Sequence, residues 1–250
     1  MAASVFIDGH AGTIGLRIRE LLAGRRDLHI LEIPEAERKD AAARRKLLNA
    51  CQVAILCLPD EASLEAVALL ENPEVRVIDG STAFRVSDGW TYGLPELGSG
   101  QREAIRSARF VSNPGCWPTC VSLLTRPLIH AGLLPRDVAL SVHGVSGYTG
   151  GGKAMIARWE SAETGLVGLP YEAPYALDKV HKHVPEMQTY GLLEVAPFFR
   201  PSVGAFARGM RVEIPLHAAQ LPAKVDARAL TEAYARHYQG EQFVRVVPSD

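Results

Sequence analysis

Val5-Phe6-Ile7-Asp8-Gly9-His10-Ala11-Gly12-Thr13-Ile14-Gly15 decides how the chain folds. The three apolar residues read as a short strand. A turn with glycines at 9, 12 and 15 follows, and Leu16 to Leu22 continues with a helical pattern. Strand, glycine turn and helix, in that order, form the context in which such a motif binds a dinucleotide. Glycines let the backbone approach a pyrophosphate, which then lies on the helix N-terminus. The spacing is GxxGxxG rather than GxGxxG, so a plain strand–turn–helix with packing glycines is the competing reading.

Working outward, Met1-Ala2-Ala3-Ser4 enters the strand with no basic region before it, and no signal peptide is expected. Leu28 to Ile33 reads as a second strand. Glu32 stands where a carboxylate bonds a ribose hydroxyl, which points to NAD; Arg38 and Lys39 follow and suit either a 2′-phosphate, which points to NADP, or a solvated helix start, the reading their local sequence favours. Residues 40–49 favour helix. Val53 to Leu58 is an unbroken apolar run ending at Pro59, the pattern of a strand buried on both faces of a parallel sheet. A helix from Glu61 to Glu71 and a strand over 75–78 come next. This alternation predicts a doubly wound, Rossmann-like α/β domain. Residues 80–108 read as loop, and Phe110-Val111 as one more strand.

That strand leads into Ser112-Asn113-Pro114-Gly115-Cys116-Trp117-Pro118-Thr119. Pro114 and Gly115 break regular structure, and Pro118 is tolerated in a first helical turn. Cys116 is therefore expected at a helix N-terminus. The unpaired N–H groups and the helix dipole there favour a thiolate, which makes a nucleophile at neutral pH. The bland alternative is a buried, inert cysteine. Cys57 lies inside the buried strand and Cys51 begins it; Cys120 is one turn beyond Cys116.

Beyond the helix the texture changes. Strands are expected at 138–145, 193–196, 209–214 and 243–247, and a helix from Asp226 through Tyr238 with Asp226 as N-cap. Ser146 to Lys153 is dense in glycine and reads either as an interdomain linker or as a loop wrapping a ligand. His181-Lys182-His183-Val184-Pro185-Glu186 is a second chemical cluster. Two histidines two residues apart suit a metal pair, exposed loop residues, or acid–base partners of a reactive cysteine; with no further ligand nearby in sequence, no metal site is assigned.

Composition sets outer bounds. The chain has 250 residues, 47% hydrophobic and 22% charged, an ordinary globular balance with room for one large domain or two smaller ones. The net charge of −1 gives no electrostatic pointer to nucleic acid or an anionic membrane, and no apolar run approaches a membrane span. Four cysteines without CxxC pairing fit a reducing cytoplasm.

Together these motifs resemble the N-acetyl-gamma-glutamyl-phosphate reductases, NADP-dependent enzymes of arginine biosynthesis, in their shorter bacterial type. The resemblance runs from Phe6 to Gly15, Asp79 to Arg85, Tyr92 to Leu97, Ser112 to Cys116, Gly144 to Lys153 and His181 to Met187. It implies a semialdehyde dehydrogenase-like architecture: an NADP-binding Rossmann-like domain over 1–117 and an α+β substrate domain over 118–250. Family members continue with a DNLGKG-type glycine loop and a helix returning to the nucleotide domain; this sequence stops at Asp250 before such a segment.

The chemistry so implied is reduction of N-acetyl-glutamyl 5-phosphate by NADPH through a thioester on Cys116. His183, with His181 as the alternative, acts as acid–base group, and Asn113 with the Cys116 N–H meets the oxyanion. The expected cofactor contacts are Gly9, Gly12, Thr13, Ile14, Gly15, Arg38, Ser146 and Gly147. Arg85, Lys153 and Arg208 are candidate cations for the substrate anions. The expected partners are a small-molecule substrate and further copies of the chain, not nucleic acid or membrane. Two rivals stand beside this reading: an aspartate-semialdehyde dehydrogenase-like reductase, against which the HKHVPEM run speaks, and a non-catalytic NADP-binding sensor.

Overall fold

The computed structural model describes residues 2–163, 165, 166, 168, 171–222 and 225–247. The chain divides into two compact units, Met1–Pro95 with Gly100–Pro114, and Glu96–Ser99 with Gly115–Asp250. Sequence reading drew a single boundary between 117 and 118.

The first unit runs β1 (Ala3–Asp8), α1 (Thr13–Leu22), β2 (Leu28–Leu31), α2 (Ala41–Ala50), β3 (Val53–Leu56), α3 (Asp60–Ala68), β4 (Arg76–Asp79), β5 (Thr91–Tyr92), α4 (Gln101–Ser107) and β6 (Phe110–Ser112). The strands form one sheet in the order β2-β1-β3-β4-β6-β5, every neighbouring pair parallel. Phe6, Leu48, Ala54, Leu56, Val75 and Val77 build its core. Asp40 starts α2 by accepting the Ala43 N–H, a cap that ends the preceding loop. The strand order reverses between β1 and β3. In open α/β sheets, ligands bind outside the strand ends at such a point. The stretch 80–108, expected as loop, contains β5 and α4.

The second unit runs α5 (Cys116–His130), β7 (Ser141–Gly147), α6 (Gly152–Glu160), β8 (Ala173–Pro174), α7 (Val184–Tyr190), β9 (Phe198–Gly204), β10 (Met210–Glu213) and α8 (Ala227–His237). Its sheet has the order β10-β7-β9-β8, with β7 and β9 parallel and the outer pairs antiparallel. Trp117 and Val121 of α5 pack with Val142 and Met187 in its core. Gly144 makes this possible, since a Cβ there would lie 2.3 Å from the Trp117 ring. No described helix is long and apolar enough to cross a membrane.

Two strand expectations also need correction, and one of the two readings of the glycine loop falls. The strand expected at 193–196 lies instead at 198–204. Leu193 closes α7, its N–H donating to the Gln188 carbonyl after Leu192 takes a positive φ of 60°. Residues 243–247 form no strand, and Phe243 is 80% exposed. The glycine loop is no linker: Gly147, Tyr148 and Thr149 donate backbone bonds to Gly209, Phe206 and Ala207, and α6 follows directly.

Candidate active site

In the first unit the glycine turn is closed by contact. Gly9 has φ +86°, and a Cβ on it would sit 2.3 Å from the Cys57 carbonyl oxygen; a Cβ on Gly15 would sit 2.3 Å from the Gly9 oxygen. Only glycine satisfies both positions. Gly12 is the N-cap of α1, with no side chain capping that end. A cavity of about 480 Å³ opens here, lined by Gly9, Gly12, Arg38, Lys39 and Arg44 among others. Thr13 and Ile14 form the first turn of α1 beside it. Glu32 lies outside this cavity, paired with Arg19 at 2.8 Å.

Sequence reading missed Arg44. It is buried and pairs with the buried Asp8 at 3.0 Å, directly before Gly9. Burial pushes the Asp8 carboxyl up, and the Arg44 guanidinium partly offsets this. Arg85 is buried in the same unit and donates to the Gly80 carbonyl. Asn113 is exposed; its side-chain amide donates to Pro114 O at 3.3 Å.

In the second unit Gly115 caps α5 and Cys116 is its first residue, exposed. The Gly115 N–H donates to Glu186 Oε1 at 2.6 Å, and Glu186 is buried at 3% exposure. Trp117 Nε1 donates to the Tyr175 hydroxyl at 3.2 Å. A cavity of about 270 Å³ is lined by Cys116, Ser146, Gly147, Tyr175, Arg208 and Met210, among others. The structure thus brings Ser146, Gly147 and Arg208 together with the thiol. Lys153 is exposed in the first turn of α6.

Neither histidine is among the residues lining that cavity, and His181 packs beside Tyr175, which does line it. The His181 ring meets Tyr175 at 5.9 Å, Phe199 at 5.3 Å and His183 at 4.8 Å. His183 is buried as the N-cap of α7, and its backbone N–H donates to His181 Nδ1 at 3.2 Å. That bond fixes the neutral His181 tautomer with its proton on Nε2. Burial lowers the His181 pKa, and Lys182 and Lys179 lower it further. Burial raises the pKa of the other thiols, Cys51 and Cys57 to about 11 and Cys120 upward as well, with Cys116 adding to the effect there.

Residues 30–108 match the family described as "Semialdehyde dehydrogenase, NAD binding domain", and residues 116–250 match "Semialdehyde dehydrogenase, dimerisation domain". The N-acetyl-gamma-glutamyl-phosphate reductase of Rhizobium leguminosarum bv. trifolii is 52% identical over 99% of this chain and 80% of its own length. The chain belongs to the N-acetyl-gamma-glutamyl-phosphate reductase family. The Rhizobium meliloti reductase is likewise 52% identical, over 100% of this chain and 81% of its own. Reductase 2 of Pseudomonas putida is 49% identical over 98% and 77%.

Solved structures add the fold of this reductase-family chain. Aspartate semialdehyde dehydrogenase II of Vibrio cholerae, complexed with ASA, aligns with TM-score 0.66 at 15% identity over 93% of this chain and 78% of that one. The Candida albicans aspartate semialdehyde dehydrogenase solved with NADP aligns with TM-score 0.64 at 13% identity, covering 93% and 76%. Arg44 and Tyr175, absent from the sequence reading, and Glu186, named there without a role, share one trait. Each acts on a partner 36 to 71 positions away, beyond the reach of any local pattern.

Proposed function

We propose that the chain reduces N-acetyl-glutamyl 5-phosphate to N-acetyl-glutamate 5-semialdehyde and phosphate with NADPH, in arginine biosynthesis. The carrying observation is Cys116. It alone among the four cysteines is exposed, and it opens α5 at the wall of a cavity that also holds Arg208. Its thiolate attacks the acyl carbon. The C–S bond forms, the bond to the phosphate oxygen breaks, and phosphate leaves with the electron pair. The Cys116 N–H and the Asn113 amide are the proposed oxyanion donors. Arg208, with Arg85 and Lys153 as further candidates, holds substrate anions. After reduction the hemithioacetal C–S bond breaks, the aldehyde departs and the thiolate returns. His183 is proposed as the group that moves the proton, with His181 positioned by its bond to the His183 backbone.

NADPH fits the first unit. The crowded glycine turn keeps side chains off the backbone where a pyrophosphate would lie, and Arg38 and Lys39 supply cations for a 2′-phosphate. Glu32, engaged with Arg19, does not line that cavity. When bound, the cofactor supplies the hydride that reduces the thioester. Thr13, Ile14, Ser146 and Gly147 complete the proposed contacts. The match to a dimerisation domain supports a homo-oligomer, and four thiols without a disulfide suit a cytoplasmic enzyme.

The test is the reverse reaction, with N-acetyl-glutamate semialdehyde, NADP and phosphate, run beside aspartate semialdehyde. We expect turnover with the first substrate only. Cys116→Ala should lose turnover and retain NADPH binding, and His183→Asn should lose on the order of 100-fold. Alkylation near neutral pH should mark Cys116 first. Preference for aspartate semialdehyde or for NADH, or activity in Cys116→Ala, refutes the reading. No turnover in wild type with intact NADPH binding selects the sensor.

A further inference from the structure

Two further sulfur-bearing residues, Cys120 and Met210, stand beside the turn and cavity that hold Cys116. Cys116 and Cys120 stand one helical turn apart on α5, a spacing that places both side chains on one face. From β10 across the core, Met210 brings its thioether to 3.5 Å from Cys120 Sγ. Met210 also lines the cavity onto which Cys116 opens. Histidines at the same i, i+4 spacing on a helix hold zinc in metalloproteases, so the geometry serves a shared ion. We propose that Cys116, Cys120 and Met210 form a binding site for a soft monovalent metal ion of the Cu(I) class, and that the ion blocks the enzyme by occupying its nucleophile.

The donor set decides the ion. Two thiolates and a thioether are soft ligands, which favour Cu(I) over magnesium, calcium or manganese. With metal–sulfur bonds of about 2.3 Å, two ligands of one tetrahedral ion stand about 3.8 Å apart. The observed 3.5 Å between Cys120 and Met210 is close to that spacing before any ion enters. The charge also closes. Each thiol gives up its proton on binding, no electron is transferred, and the complex of one Cu(I) with two thiolates carries a net charge of −1. The exposed guanidinium of Arg208 on the same cavity wall is a counter-ion for it. Cys51 and Cys57 belong to the other unit, Cys51 fully buried there and Cys57 partly so, and they take no part.

The binding claim stands on the sulfur geometry, and only the block of activity rests on Cys116 being the nucleophile. The experiment keeps them apart. The 250-residue chain is titrated without oxygen against Cu(I) held by bicinchoninate, whose colour reports copper withdrawn, with no substrate present. Wild type is expected to withdraw one Cu(I) per chain, and copper loading is expected to protect Cys116 from iodoacetamide, read by peptide mass spectrometry. Met210→Leu, which keeps the packing volume, and Cys120→Ala should each weaken Cu(I) binding by about tenfold or more. If Cys120→Ala does not fold, Met210→Leu decides. Failure of wild type to compete, wild-type affinity in Met210→Leu, or unchanged labelling of Cys116 under copper overturns the site. Copper binding as described with full turnover of the loaded enzyme leaves the site standing and overturns the block.

Discussion

Replacing Glu186 should separate a structural tie from a catalytic one. The Glu186 carboxylate accepts the Gly115 N–H at 2.6 Å from a buried position, immediately before Cys116. A hydrogen bond to a charged acceptor contributes about 1.5–3 kcal/mol, and a buried N–H left without its acceptor costs about 1–3 kcal/mol. Glu186→Ala should therefore lower the unfolding free energy by about 3 kcal/mol. The turn it held carries the proposed nucleophile, and a displacement of about 1 Å at a reacting group can cost roughly 100-fold in rate. The expected result in steady-state assay is a kcat loss of that order with KM changed far less. Glu186→Gln keeps an acceptor oxygen on the same stem and should stay within about tenfold of wild type, with a stability loss of about 1 kcal/mol. Equal losses in the two variants, or wild-type turnover in Glu186→Ala, would refute the reasoning.

Arg44→Met removes the partner of buried Asp8 and should destabilise by about 3–5 kcal/mol in urea unfolding. The loss should shrink at acid pH, where the carboxyl, already raised by burial, takes up a proton. Burial lowers the pKa of His130, His181 and His237, so the unfolded chain binds protons first as pH falls. Stability should be full above about pH 6.5 and decline below it; a thermal midpoint that rises on acidification through that range would contradict this.

Much of the fold was legible because apolar runs and glycine punctuation are local signals. The run Val53 to Leu58 announced a doubly buried strand, and β3 occupies its first four residues. Failures fall where tertiary contact overrides local pattern. Pro201 lies mid-strand in β9, flanked by β7 and β8, although proline is normally confined to sheet edges. Its carbonyl accepts the Tyr175 N–H, so the position earns a ladder bond without donating one. The stretch 193–196 expected as strand instead follows α7, where Leu193 enters a core cluster with Leu128 and Leu140.

The site divides the same way. A helix start at Cys116 follows from Pro114-Gly115, three residues of local chemistry. What surrounds it required the fold, and the sequence HKHVPE shows why. A glutamate at the third position of a helix ordinarily reaches back to the N-cap N–H of its own helix. Glu186 holds that position in α7, with His183 as N-cap. Here His181 Nδ1 already takes the His183 N–H. The exchange leaves Glu186 to accept the N-cap N–H of α5 instead. One histidine thus does the local capping, and the carboxylate is spent on the turn that carries the thiol. One hydrogen bond joins the two histidines and a second ties Glu186 of the same motif to the Cys116 turn, so the spacing of His181, His183 and Glu186 serves geometry. His181→Phe would keep a ring against Tyr175 and Phe199 but abandon the His183 N–H. The His183 N–H would lose its acceptor, and urea unfolding should show a loss of about 1 kcal/mol.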